Sequence, residues 1–214
     1  MNPSRRTLIA AVPFVLVKPL AAFAQQAGSY IEIKPPLPVE ANGKIEVVEL
    51  FWYGCIHCYN LEPALDAWLP KLPSDAYFRR IPAVFNERWA IDATIYYAFE
   101  ALGLLPKLHR PFFDAIHKDR LKTDNQAAVV EWLGKNGVDP KKFDATMKSF
   151  GVQSKTKRAS QLTGAAKIEG TPALMVQGRY TINVEQGGSG EGMLASADRL
   201  IPVVRKTLAG GAKQ

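Results

Sequence analysis

Cysteine is nearly absent from this chain of 214 residues: there are two, Cys55 and Cys58. Without a second pair, the four nitrogen or sulfur ligands of a structural zinc site are not supplied. A framework of disulfide staples is excluded as well. A bridge between two residues this close closes so short a loop that it removes little entropy from the unfolded chain. A run of about twenty apolar residues at the start of the chain, which a membrane anchor needs, is also missing. Charge of one sign is only mildly in excess, with 27 basic and 20 acidic residues and a formal net charge of +7. Lys141, Lys142, Lys148, Lys155, Lys157 and Arg158 gather in one region but are interleaved with helix-forming positions, the pattern of a solvated helix face and not of a nucleic-acid site.

What stands at the start is a targeting pattern. Arg5 and Arg6 precede an apolar stretch from Thr7 to Val17 that is too short to cross a bilayer, and Ala22-Phe23-Ala24 is a small-residue cleavage site. Residues 1–24 therefore read as a signal peptide cut after Ala24. The paired arginines by themselves do not select the twin-arginine export route. Removing Arg5, Arg6 and Lys18 leaves 24 basic against 20 acidic residues, a net +4. The remaining chain is long enough to bury a substantial core. Export together with a lone cysteine pair points to an oxidising compartment where the pair is used chemically, and the segment implies a periplasmic protein.

The pair itself is Cys55-Ile56-His57-Cys58. An apolar run, Ile45 to Phe51, leads into it, and Leu61, Leu65, Trp68 and Leu69 follow at helical spacing. The cysteines thus lie where a strand gives way to a helix. Free backbone N–H groups and the positive end of the helix dipole favour a thiolate at Cys55. Cys58, one turn on, is placed to resolve a mixed disulfide formed at Cys55. His57 lies in the same first turn, where a positive ring would also stabilise the Cys55 thiolate. Ile56 keeps an N–H that a proline would lack. Glu49 reads as the exception in the otherwise apolar strand behind the pair.

The rest of the chain reads in order. Gln25 to Lys44 is a proline-rich arm with one edge strand at Tyr30 to Ile33. Asn42-Gly43 turns into the first central strand. The helix after Cys58 contains Pro63, which should kink it, and Pro70 and Pro73 mark its end. A second strand, Phe78 to Val84, makes a parallel unit with the first. Helices follow over Trp89–Leu102, Pro106–Lys118, a segment capped by Asp124, one starting at Asp139-Pro140, and one from about Val152 to Ala166. Ala173–Val176, the turn Gln177-Gly178 and Tyr180–Ile182 form a hairpin. Gly187 to Gly190 reads as a flexible loop, and Met193 to Leu208 as a closing helix.

Strand, C-x-x-C helix, strand, hairpin and helix is the order of the thioredoxin fold. With its helical insertion the chain resembles the DsbA family of disulfide oxidases. Glu49-Leu50-Phe51 before Cys55-Ile56-His57-Cys58-Tyr59, and Gly170-Thr171-Pro172-Ala173 before the hairpin, carry that resemblance. It implies an α/β thioredoxin fold with residues 25–86 and 160–214 as its two parts and 87–159 as an inserted helical domain. It makes Pro172 a cis-proline facing the site, leaves the Thr171 backbone to pair with a bound peptide, and makes Glu49 a buried carboxylate that moves protons to or from Cys58. Ile56 departs from the proline frequent in the family, which bears on redox strength and not on the reaction.

The resemblance implies an enzyme without cofactor or metal, acting on newly exported cysteine-containing proteins. It implies reoxidation by a quinone-linked membrane oxidase of the DsbB type, and a monomer with no nucleic-acid partner. A disulfide isomerase or reductase is the second reading, although residues 25–44 are too short for the added dimerisation domain of such isomerases. The third is a redox-inert chaperone on the same scaffold. Trp52 and Tyr53, as exposed aromatics beside the cysteines, fit peptide binding in each case.

Overall fold

A computed structural model of the chain describes residues 30–40 and 43–211. The targeting segment with its cleavage site, the start of the arm and Asn42 lie outside the described residues. Five strands, β1 (Ile31–Glu32), β2 (Ile45–Phe51), β3 (Ala76–Pro82), β4 (Ala173–Val176) and β5 (Tyr180–Asn183), make one sheet in the order β1-β5-β4-β2-β3. The β2 and β3 strands pair in parallel, and the other neighbours are antiparallel. Helix α1 (Ile56–Trp68) and a 3-10 turn at Leu69–Lys71 connect β2 to β3. Five helices separate β3 from β4: α2 (Glu87–Ala101), α3 (Leu105–His117), α4 (Gln126–Lys135), α5 (Pro140–Met147) and α6 (Phe150–Ala165). A short α7 (Val184–Gly187) and the long α8 (Gly190–Gly211) complete the order. Among the described residues, no helix is long and apolar enough to cross a membrane.

Burial explains why β2 reads as a nearly continuous apolar run. All seven of its residues are buried, because helices cover both faces of the sheet. On one side Ile45 and Val47 meet Leu61, Leu65 and Trp68 of α1, together with Met193, Leu200 and Val204 of α8. A larger aromatic cluster joins Phe51 and Tyr53 to Phe99 of α2, Phe112 and Phe113 of α3 and Phe143 of α5, welding the helical segment to the sheet. The Gln177-Gly178 turn has positive φ at both residues (52° and 61°), the backbone of the tightest hairpins. A side chain at Gly178 would collide with the Leu37 carbonyl, and the Leu37 N–H donates to the Gly178 carbonyl at 2.8 Å, so the turn anchors the arm.

Several sequence expectations need correction. Asn125, not Asp124, caps α4, its side chain accepting from the Ala128 N–H. Ser149 caps α6, which therefore starts at Phe150. Helix α1 continues through Pro63 to Trp68. The glycine-rich stretch is not a free loop. Asn183 and Gln186 close a capping box around α7, and α8 begins at Gly190, where a Cβ would strike the Leu61 side chain. Glu49 is not the sole acid in β2: Glu46 is equally buried, held by the Arg79 Nε at 2.7 Å.

Candidate active site

Cys55 occupies the N-cap of α1 with extended backbone angles, and Cys58 lies one turn inside. Both are free thiols; Cys55 is half-buried and Cys58 fully enclosed. The Cys55 Sγ lies 3.2 Å from the Thr171 carbonyl, to which the thiol donates. The bond from Thr171 to Pro172 is cis.

Position decides which sulfur carries charge. The Cys58 thiol donates to Cys55 and, against the opposing effect of partial burial, lowers its pKa to about 5. The Thr171 hydroxyl and the backbone N–H groups of Cys58 and His57 add to that effect. That hydroxyl makes no hydrogen bond of full geometry. Cys58 is driven the other way: burial pushes it well up, and the hydrogen bond and charge of Cys55 reinforce the shift. The His57 ring is exposed and lines a groove of about 330 Å³ with Leu61, Pro172, Val184 and Glu191, so it stands at the mouth of the site. Ile56 is 46% exposed and offers an apolar side chain beside Cys55.

Behind the pair lies a buried polar cluster. Glu49 faces Arg80 across the β2–β3 register, with Oε2 3.0 Å from Arg80 Nε. Arg80 Nη2 also donates to both oxygens of Glu62, at 3.1 and 3.3 Å. The two carboxylates that share this guanidinium behave oppositely. Complete enclosure raises the Glu49 pKa to about 8; Arg80 opposes the shift and the Glu62 charge adds to it. Burial also works against charge on Glu62, but contacts from His109 and Arg80 hold it below its ordinary value. Glu49 thus favours its protonated form at neutral pH; the Cys55 charge adds to that shift, and a charge on Glu49 would in turn raise Cys58.

The structure therefore brings Cys55 and Thr171, half-buried, together with the enclosed Cys58 and Pro172, with Glu49 in the strand behind them. Tyr53 is not an exposed aromatic. It is fully buried, its hydroxyl 2.9 Å from His109 Nδ1. Trp52 is half-buried, stacked on Trp89 at 4.2 Å, with its indole N–H donating to Asp92 at 2.7 Å. The sequence singles out neither Arg80 nor Glu62 and assigns His109, on a helix of the insertion, no chemistry. Glu62 had a usable signal, since it follows Cys58 by one helical turn and so lies on the same face of α1. Arg80 had one only through strand register, and His109 had none within its own helix. Among the described residues no cluster of histidine, cysteine and acidic side chains is arranged to hold a metal ion.

Known proteins resemble the chain in sequence and in fold. Residues 79–199 fit the model of the DSBA-like thioredoxin domain. The chain is 44% identical over 172 residues to the thiol:disulfide interchange protein DsbA of Azotobacter vinelandii, covering 80% of each, and 39% identical over 172 residues to that of Pseudomonas aeruginosa, covering 80% of this chain and 82% of the relative. The crystal structure of Pseudomonas aeruginosa DsbA superposes with a TM-score of 0.78 at 38% identity, covering 86% of this chain and 94% of that one. Reduced DsbA1 from Neisseria meningitidis gives 0.72 at 28% identity, covering 85% and 95%. A helix-capping thiolate, a buried partner thiol and a match along most of the chain lead to one assignment: the chain belongs to the DsbA family of thiol:disulfide oxidoreductases.

Proposed function

We propose that the chain oxidises cysteine pairs in newly exported proteins. The observation that carries this reading is the opposite proton affinity of its two sulfurs, with Cys55 near 5 and Cys58 far above it. A client thiolate attacks Cys55 Sγ, the Cys55–Cys58 bond breaks, and its electron pair leaves on Cys58. That buried sulfur takes a proton from Glu49. The second client thiolate then attacks the client sulfur of the mixed disulfide and expels Cys55 as a stable thiolate. The client loses two electrons, and the enzyme leaves reduced, with Cys55 a thiolate and Cys58 a thiol, while Glu49 regains its proton from solvent. A thiol that ionises this readily is a good leaving group, which supports transfer of the disulfide outward over a redox-inert scaffold. The groove beside Pro172 and the exposed Ile56 support a role in holding the client chain, with Thr171 beside the reacting sulfur.

The same reading places the protein in the periplasm after cleavage behind Ala24, divides it into thioredoxin-like parts at 25–86 and 160–214 around a helical insertion at 87–159, and assigns reoxidation to a quinone-linked membrane oxidase of the DsbB type. The protein works as a monomer. Stoichiometric conversion of a reduced two-cysteine peptide to its disulfide by the oxidised protein tests the reading; failure to oxidise the peptide would refute it.

Glu49→Gln tests the proton step. The side chain keeps its shape and stays neutral, so the fold should persist. Wild-type turnover, corrected for client ionisation, should fall about tenfold per pH unit above about pH 8 as Glu49 loses its proton. The variant should be slower below that point and lack the inflection. An unchanged pH profile would remove Glu49 from the mechanism.

A further inference from the structure

A cavity of about 460 Å³ opens beside this cluster, with Glu62, Arg80 and His109 in its wall. His109 is buried, and no step of the exchange described above uses it. Its ring is clamped edge-on by Phe51, Tyr96 and Phe113 at centroid distances of 5.5, 6.0 and 5.2 Å. Nδ1 meets the Tyr53 hydroxyl at 2.9 Å. Nε2 has no hydrogen-bond partner; it lies 3.5 Å from Glu62 Oε1, off the line of a hydrogen bond. The second unpartnered atom in this cluster is Glu49 Oε1. His109 Nε2 and Arg80 Nη2 therefore approach the same oxygen of Glu62, while Arg80 Nε holds Glu49.

We propose, resting on the proton role given to Glu49 above, that His109 is a positioning residue of the disulfide reaction: its charge decides how Arg80 is shared between Glu62 and Glu49. With His109 neutral, Arg80 is the cation that balances Glu62, and Glu49 keeps its proton. When His109 gains a proton, Glu62 acquires a second cation. Arg80 is then released toward Glu49, and the carboxylate form of Glu49 is favoured. Protonation of His109 thus lowers the proton affinity of Glu49 and makes it a stronger acid toward Cys58. The groups facing His109 are Tyr53 before α1, Glu62 and Asp66 of α1, Arg80 of β3, Tyr96 of α2 and its own neighbour Arg110. Burial and the Arg80 charge hold the imidazole below its ordinary pKa against the pull of Glu62 and Asp66, so it is neutral at neutral pH and charges only in acid. The Tyr53 hydroxyl reinforces this, because it can donate to Nδ1 only while that nitrogen is unprotonated.

Two measurements test the proposal. In the wild-type protein, with carboxyl-labelled glutamate and histidine ring resonances followed by NMR, the Glu49 signal should move twice: near pH 8, and again across the His109 titration. In peptide oxidation, the wild-type rate, corrected for client ionisation, should rise severalfold across that titration, because a Glu49 of lower proton affinity is the stronger donor, and His109→Gln should lose the rise. A Glu49 signal blind to the His109 titration overturns the proposal, whether or not the variant folds, and so do superimposable acid limbs. If neither protein oxidises the peptide at any pH, the oxidase reading itself fails and the proposal falls with it. If only Glu49→Gln alters the profile, that reading stands and the role of His109 does not.

Discussion

The stability of the reduced protein relative to the oxidised one is expected to rise by about 2 kcal/mol between pH 4 and pH 7. A thiol that ionises near 9.0 in the unfolded chain and about 5 in the folded one stabilises the folded dithiol by roughly 2.7 kcal/mol at pH 7. Cys55 is only half-buried, so water screens part of this and about 2 kcal/mol remains. The sign follows from the depressed folded value: the contribution is complete above the unfolded pKa and is lost as pH falls through about 5. The oxidised protein has no Cys55 thiol to titrate, so the effect belongs to the reduced form. Against it stands the constraint of the disulfide on the unfolded chain, about 2 kcal/mol for so short a loop. The two nearly cancel at neutral pH, and the disulfide prevails in acid. Thermal unfolding of both forms at pH 4 and pH 7 checks this. The gap between melting temperatures should shift by several degrees in favour of the dithiol. A gap independent of pH would show that Cys55 carries no stabilised thiolate.

Cys58→Ala is expected to accumulate covalent adducts with client proteins, at least about tenfold over Cys55→Ala. With a pKa of about 5, Cys55 is almost wholly thiolate at pH 7, whereas Cys58 remains a neutral, enclosed thiol. Within the native pair, Cys58 attacks a mixed disulfide at Cys55 as an intramolecular reaction, at an effective concentration no free thiol matches. Removing Cys58 eliminates that route and leaves the adduct standing. Non-reducing electrophoresis of both variants after exposure to a mixture of exported proteins is the check. Equal trapping by the Cys55 variant would reverse the assigned roles.

How much of this was legible in the sequence depends on the range of the interaction involved. The C-x-x-C pair at a strand-to-helix junction was visible because strand, cap and helix are contiguous. The Gln177-Gly178 hairpin was visible because its turn type depends on two adjacent residues. The α4 cap shifted by one residue because Asp124 and Asn125 are both capable caps, and only the local backbone chooses between them. Gly187 to Gly190 looked flexible because glycine permits freedom; here it permits close approach of α8 to Leu61 instead. Tyr53 looked exposed beside the cysteines because nothing nearby in sequence reveals that Phe112 and Phe113, about sixty residues on, enclose it. The polar cluster shows the same limit. Glu49, Glu62, Arg80 and His109 come from β2, α1, β3 and α3, and only the fold brings them together.

The most direct test of the account is titration of the reduced protein by the ultraviolet absorbance of thiolate. One thiolate should appear with a midpoint of about 5, vanish in Cys55→Ala, and be followed by no second thiolate until well above the ordinary thiol range. A reduced protein with no thiolate below about pH 8, or a low midpoint that survives in Cys55→Ala, would contradict it.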